Sequence, residues 1–328
     1  MAAAEGIYLR EQPLVELGSA GGTGENVTDA RSNVEAAGSF ALGRSRVNRM
    51  GYGAMQLAGD NVFGPPRDHD EAVRVLRLAV QSGVNHIDTA QYYGPGTVNQ
   101  VIREALHHYP SDLAIVSKVA ARRDEAGAVL PYDDPDQLRK GIEENLSTLG
   151  LDRLAALNLR LMDGSRPGSR FDAQLAALVE ARDDGLIEGI GLSNISRERL
   201  RRALGQAQIV CVQNLFNLAD QRSLDLLEDC TSQDIAFVPF CPLGWPRGVQ
   251  NAILTSPVLI DIGARLGATP AQIALAWLLD LAPNVLLIPG TRTQQHLFEN
   301  IRSASVRVDD AARSELARHF PSSRLTEP

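Results

Sequence analysis

The stretch NHIDTAQYYGPG, residues 85–96, sets a histidine, an aspartate and two adjacent tyrosines between an apolar run and a glycine turn. Ionisable and phenolic groups gathered at a strand end either pin a loop or do proton chemistry. The surrounding chain says what kind of strand this is. Before it, DEAVRVLRLAVQSG (70–83) carries apolar residues at helical spacing and stops at a glycine. After it, LAIVSKV (113–119) is a second apolar run. Strand, helix and strand in succession are the unit of a parallel sheet.

The unit recurs. Further β-like runs are VNRMGYGAM (47–55), LAALNLRL (154–161), IEGIGLSN (187–194), IVCVQN (209–214), IAFVPF (235–240) and VLLIP (285–289). Helical patterns fill the gaps at PDQLRKGIEENLSTLG (135–150), DAQLAALVEARDDG (172–185) and TPAQIALAWLLDL (269–281). In the last, Thr269 is placed to cap the helix and Pro270 to open its first turn. Eight strand runs alternating with helices predict an α/β chain folded as a (β/α)8 TIM barrel. An open doubly wound sheet is the alternative. It usually carries a glycine-rich phosphate loop after its first strand, and here that place reads GYGAMQ, without the third glycine. Residues 1–38 differ from the rest: glycines cluster in GSAGGTGEN and apolar periodicity is weak. They read as a mobile extension with one short ordered piece, followed by a single barrel domain over 39–328.

Composition removes several function classes. The chain of 328 residues is 44% hydrophobic and 22% charged, with a net charge of −8 and no basic run. Nucleic acid and anionic membranes are therefore poor partners, since phosphate binding needs clustered Lys and Arg. Cys211, Cys230 and Cys241 form no CxxC pair, and no metal site is expected. A reducing cytoplasmic location and a monomeric state are the expectations. MAAAEGIYLREQ lacks the apolar core of a secretion signal, so the NVT, NLS and NIS triplets at Asn26, Asn145 and Asn194 read as chance. The apolar stretch IALAWLLDLAPNVLLIPG is broken by Asp280 and Pro283, and reads as a buried helix followed by a strand.

In a barrel, chemistry gathers at the C-terminal ends of the strands. Asp88 ends one run, Tyr93 lies five residues further, and Lys118 ends IVSK on the next strand. Asp, Lys and Tyr together suit proton donation by a phenol. A free phenol, with a pKa of about 10, donates poorly near neutrality. A nearby ammonium lowers that pKa, and the aspartate supplies the ammonium with a counter-ion. The bland reading is a structural ion pair beside a packing tyrosine. His86 reads as a satisfied core histidine.

The motifs GVNHIDTAQYYG, IVSK, IGLSN, VQN, PFCPLG and LLIPGTRTQQHLFEN stand in the order and spacing of the aldo-keto reductase superfamily, which this chain resembles from about Gly51 to Asn300. Within it, MGYGAMQLAG, FGPPRD, NHIDTAQYYGP, VNQVIREAL, LNLRLM and GATPAQIALAWLL resemble the bacterial pyridoxal reductase (pyridoxine 4-dehydrogenase) branch. The resemblance implies an NAD(P)H-dependent carbonyl reductase. It puts Asp88, Tyr93 and Lys118 on three members of the family's catalytic tetrad. Arg160 stands where the fourth member is a histidine, a departure that suits substrates bearing negative charge near the carbonyl, or a carbonyl oxygen gaining charge. The alternative is an Arg160 held in a structural salt bridge.

For the cofactor, the resemblance implies that Ser193, Asn194 and Gln213 hold the nicotinamide carboxamide and that Phe240 stacks on the ring. Met55 lies with them, and Leu243 and Gly244 let the chain cross the pyrophosphate closely. Gly290, Thr291, Arg292, His296, Glu299 and Asn300 grip the adenosine end. Arg292 offers a partner to a 2′-phosphate, so NADPH/NADP+ is the expected cofactor. The expected substrate is a small aldehyde or ketone, with pyridoxal the leading example. Two other readings are a tailoring ketoreductase for a sugar or natural product, distinguished by the loop MDGSRPGSRF (162–171), and a cofactor-binding sensor subunit.

Overall fold

The computed structural model describes residues 27–162, 169–244 and 251–322. The strands are β1 (Ser39–Leu42), β2 (Ser45–Asn48), β3 (Tyr52–Gly53), β4 (His86–Asp88), β5 (Ala114–Arg123), β6 (Val129–Tyr132), β7 (Ala156–Arg160), β8 (Ile190–Ser193), β9 (Ile209–Leu215) and β10 (Ala236–Phe240). The helices are α1 (Val27–Ala36), α2 (His69–Gln81), α3 (Thr97–Leu106), α4 (Pro135–Leu149), α5 (Ser169–Asp183), α6 (Arg197–Leu204), α7 (Leu224–Ser232), α8 (Pro257–Leu266), α9 (Pro270–Leu281), α10 (Gln294–Arg302) and α11 (Asp310–His319).

Strands β3, β4, β5, β7, β8, β9 and β10 pair in that order, all parallel. The expected eighth strand, 285–289, closes the ring through isolated bridges to Met50 and Phe237 rather than a full ladder. On one side Leu287 N donates to Arg49 O and Gly51 N to Leu287 O, both at 2.8 Å; on the other Leu286 N donates to Phe237 O at 2.9 Å. The barrel is thus closed, as the alternation of runs predicts.

The expected first strand run, 47–55, divides. Its start belongs to the antiparallel hairpin of β1 and β2, its middle is β3, and Ala54–Leu57 form a 3-10 turn. Gly53 explains part of this brevity. A Cβ there would lie 2.4 Å from Ile288 O, so a side chain would force the closing segment away. The glycines of GYG serve close packing, Gly53 on the Ile288 backbone and Gly51 on the His86 ring.

Period-two alternation sorts the strand residues into two cores. Ala114, Val116, Ala156, Cys211, Ala236, Val238, Leu286 and Ile288 line the interior, capped by Leu42 and Val47 of the hairpin. Ile87, Ile115, Leu157, Leu159, Ile190 and Leu192 face outward to the helices. Continuing the inward register toward the C-terminal ends leads to Asp88, Lys118, Asn158, Arg160, Ser193, Gln213 and Phe240. The barrel therefore passes from an apolar floor to a polar upper layer.

Capping fixes the helices as the sequence reads. Thr269 Oγ1 accepts from Gln272 N at 3.2 Å while Gln272 Oε1 accepts from Thr269 N at 3.0 Å, a reciprocal cap on α9. Asn145, which opens the NLS triplet, is fully buried within α4.

Of the expected extension over 1–38, residues 1–26 lie outside the described residues. The short ordered piece is α1, whose Ala30 and Val34 are fully buried in the outer core. Arg49 ties this corner together, donating to Ala37 O, Val285 O and Ala282 O at 3.2, 3.1 and 2.6 Å. Burying a valine side chain stabilises by about 1.5–3 kcal/mol. A chain starting at residue 37 is therefore expected to unfold at lower urea than one starting at residue 27. Equal midpoints for the two would show that α1 contributes nothing to the core.

His86 opens β4 and is 2% exposed. Gly51 lies against its ring: a Cβ on Gly51 would fall 2.1 Å from His86 Cε1. The ring is enclosed in the core, with the Asn48 backbone as its polar neighbour. Burial depresses its pKa to about 4, against about 6.5 in an unfolded chain. As pH falls, the unfolded chain takes up the proton first. Stability attached to the neutral imidazole is therefore full above pH of about 6.5 and is lost toward pH 4, by about 3 kcal/mol. His86→Leu should flatten the pH dependence of the urea midpoint across that window; an unchanged slope would assign the acid sensitivity to other groups.

Candidate active site

The inward, C-terminal ends of β4, β5, β7, β8, β9 and β10 meet at one mouth. Lys118 and Asp88 form a salt bridge there, both nearly fully buried. Lys118 Nζ also donates to Thr89 O at 2.9 Å. The second oxygen of Asp88 accepts from Gln213 Nε2 at 2.8 Å, across the barrel. One carboxylate thus holds an ammonium with one oxygen and an amide with the other. Tyr93, 7% exposed, presents its ring to Lys118, with Nζ 5.1 Å from the centroid. Tyr92 packs edge-on against Tyr93 at 5.2 Å, and its carbonyl accepts from Arg123 Nε at 3.1 Å. The expected trio is therefore brought together, with Tyr92 as neighbour.

The electrostatics differ from the expectation. Burial pushes the Tyr93 phenol above its ordinary pKa, Asp88 adds to that, and Arg160 and Arg123 oppose it. The predicted lowering by Lys118 fails because desolvation of the phenol dominates. In addition, the Lys118 charge is already matched by Asp88 and the Thr89 carbonyl. Tyr93 in this state is a phenol throughout the neutral range, ready to donate a proton and poorly suited to accept one.

Arg160 ends β7 with its Nε buried and without a partner. Among the described residues it forms no salt bridge. Its charge acts on Tyr92, Tyr93 and Cys241. A cation thus faces the same small site as the phenols, with nothing described to neutralise it.

Register sets Arg160, Ser193 and Gln213 side by side on β7, β8 and β9. Ser193 Oγ and Gln213 Oε1 are buried and have no partner. Asn194 follows in the left-handed conformation (φ 60°), its Nδ2 donating to Leu161 O at 2.8 Å. Phe240 is half-buried at the end of β10, and Met55 is half-buried in the turn after β3. Beyond Phe240, Leu243 O accepts from Asn251 Nδ2 at 2.7 Å, and Gly244 takes φ +91°, which favours glycine.

Gly290 closes on Gly53: a Cβ there would lie 2.9 Å from Gly53 O. Thr291 is buried, and its carbonyl accepts from Tyr52 Oη at 2.5 Å. Arg292 and His296 are exposed around the N-terminus of α10, which Thr293 caps. Glu299 is half-buried in the second turn. Asn300 is buried toward the far end of α10 and is not brought to the helix N-terminus.

The sequence model of the Aldo/keto reductase family matches residues 49–319. The chain belongs to the aldo/keto reductase family. It is 48% identical over 281 residues to pyridoxine 4-dehydrogenase of Escherichia coli (strain K12), covering 84% of this chain and 96% of that one. An uncharacterized oxidoreductase, C215.11c, of Schizosaccharomyces pombe is 32% identical over 292 residues, covering 88% and 92%. Among solved structures, the thermostable aldo-keto reductase Tm1743 in complex with the inhibitor epalrestat superposes with a TM-score of 0.72. It is 30% identical, covering 85% of this chain and 98% of that one. An aldo-keto reductase from Klebsiella pneumoniae in complex with NADPH gives 0.75 at 22% identity, covering 88% and 97%, which shows the shared fold.

This aldo/keto reductase is thus an oxidoreductase on a TIM barrel. Three site features escaped the sequence reading. Thr89 receives the Lys118 ammonium through its carbonyl, and its place directly after Asp88 was the available signal. Gln213 contacts Asp88, a pairing across 125 residues that no local pattern announces. Arg123 reaches Tyr92 from the extension of β5, also without local warning. The loop residues 163–168, on which a tailoring substrate would act, lie outside the described residues.

Proposed function

We propose that this enzyme reduces a small aldehyde with NADPH, and that the aldehyde is an aromatic one with an ionised hydroxyl beside it, pyridoxal being the leading candidate. The observation that supports this best is Arg160, a guanidinium with no ion-pair partner among the described residues, in the mouth where Lys118 already has its counter-ion. The relative that is 48% identical and called pyridoxine 4-dehydrogenase points the same way.

The donor set suits the cofactor. Ser193 Oγ and Gln213 Oε1 are orphaned buried groups beside Asn194, and a nicotinamide carboxamide would satisfy them. Phe240 would stack on that ring, while Leu243 and Gly244 pass the pyrophosphate. The exposed Arg292 at the α10 N-terminus would meet a 2′-phosphate. Bound there, the cofactor supplies the hydride. Tyr93 donates the proton to the carbonyl oxygen, Lys118 and Asp88 hold the phenol in place, and Arg160 orients the oxygen.

The test is NADPH oxidation against a panel of aldehydes that includes pyridoxal and a neutral benzaldehyde. Arg160→Met should raise KM for pyridoxal and change the neutral aldehyde little; lower kcat for both would reassign Arg160 to the developing oxyanion. No turnover with any carbonyl would overturn the proposal. Charge-assisted contacts of the 2′-phosphate kind are worth about 1.5–3 kcal/mol, so equal dissociation constants for NADPH and NADH would remove Arg292 from the account.

A further inference from the structure

Behind the Asp88–Lys118 pair, outside the barrel wall, four uncharged polar side chains are completely buried: Thr89, Asn99, Ser117 and Asn145. Most of this layer between strands and helices is apolar and packs without hydrogen-bond demands. Polar groups are retained in such a place only with their bonds satisfied. Here they are. Thr89 Oγ1 donates to Asn99 Oδ1 at 2.7 Å. Asn99 Nδ2 is within 3.2 Å of Asn145 Oδ1 and 2.9 Å of Gln91 Oε1. Asn145 Oδ1 also accepts from Ser117 Oγ at 2.5 Å, and Asn145 Nδ2 donates to Gly141 O at 2.8 Å and approaches Lys118 O at 3.5 Å.

These contacts form a ring. It leaves Lys118 through its ammonium, passes Thr89, Asn99 and Asn145, and returns to the Lys118 backbone. The carbonyl that receives the ammonium belongs to the Thr89–Ala90 peptide. The preceding peptide is fixed by Thr89 N donating to Val116 O at 2.8 Å. The Thr89 side chain, anchored on Asn99, holds that residue against turning. Lysine has a long flexible stem, so its ammonium keeps one position only if its acceptors do.

We infer that Thr89, Asn99 and Asn145 are positioning residues for carbonyl reduction, holding the Lys118 ammonium on Asp88 and against Tyr93. This rests on the reading of Tyr93 as acid.

Thr89→Val keeps the shape and removes the hydroxyl. It is expected to lower kcat for aldehyde reduction by about tenfold or more, since small misplacements at a reacting centre have effects of that order. KM for the aldehyde and the NADPH dissociation constant should stay within about twofold of the starting values. Thr89→Ser, which restores the hydroxyl, should recover kcat. Leu149→Ala, a buried apolar change in the same layer but outside the ring, serves as the control for plain loss of stability. If Thr89→Val does not fold, Asn99→Ala is measured by the same criteria. A kcat loss no greater than that of Leu149→Ala, or no recovery in Thr89→Ser, overturns the inference. A Tyr93→Phe variant with undiminished kcat would instead sink the site reading on which it stands.

Discussion

Tyr93→Phe is expected to lower kcat for aldehyde reduction by a factor of about 10² or more, the usual scale for a positioned acid. NADPH affinity and the urea midpoint should change little. The reason is geometric. Tyr93 is the buried phenol whose ring faces Lys118 Nζ, 5.1 Å from its centroid. Its ring carbons carry the packing, and phenylalanine keeps them. Burial and Asp88 raise the phenol pKa, so the proton is present through the neutral range and reduction should show no loss of rate from Tyr93 ionisation there. Tyr92→Phe should be milder. Tyr92 is tied to the site through its carbonyl, which Arg123 holds and the substitution does not touch. A larger effect at Tyr92 than at Tyr93 would shift the acid by one residue.

Asp88→Asn should cost stability as well as activity. It leaves the Lys118 ammonium buried with a neutral neighbour and weakens the Gln213 contact. Breaking a buried ion pair from one side costs about 3–5 kcal/mol, because the other charge is stranded. Urea unfolding would read this directly. The double variant Asp88→Asn/Lys118→Met removes both charges and should regain much of the lost stability while remaining inactive. A double variant no more stable than Asp88→Asn alone would show that the loss comes from packing or from the Gln213 bond, and not from the stranded charge.

The parts of the fold that were legible in the sequence share a local cause. Thr269, Pro270 and Gln272 specify the start of α9 because a cap satisfies N–H groups within one turn. Gly150 takes φ +67° at the end of α4, a conformation glycine adopts without strain. Eight strand runs predicted eight barrel positions because buried parallel strands read as apolar runs in any context. The short ordered piece expected within residues 1–38 is α1, which is only weakly patterned in sequence. What holds it is its contact with α2 and α10, whose residues lie far along the chain.

For the site, the sequence by itself determined which groups are available: Asp88, Tyr93 and Lys118 at strand ends, Arg160 in place of a histidine, and a polar set on β8 and β9. Strand period and loop position suffice to send them to one mouth. Their state was decided only by the tertiary structure. Whether Tyr93 is raised or lowered depends on how much water it has lost and which charges already have partners. Both are sums over the whole surrounding shell. The same holds for the depressed pKa of His86, the unpartnered Nε of Arg160 and the ring through Thr89, Asn99 and Asn145. Residue identity and spacing are local and can be read along the chain; desolvation and hydrogen-bond satisfaction belong to the volume that the folded chain encloses.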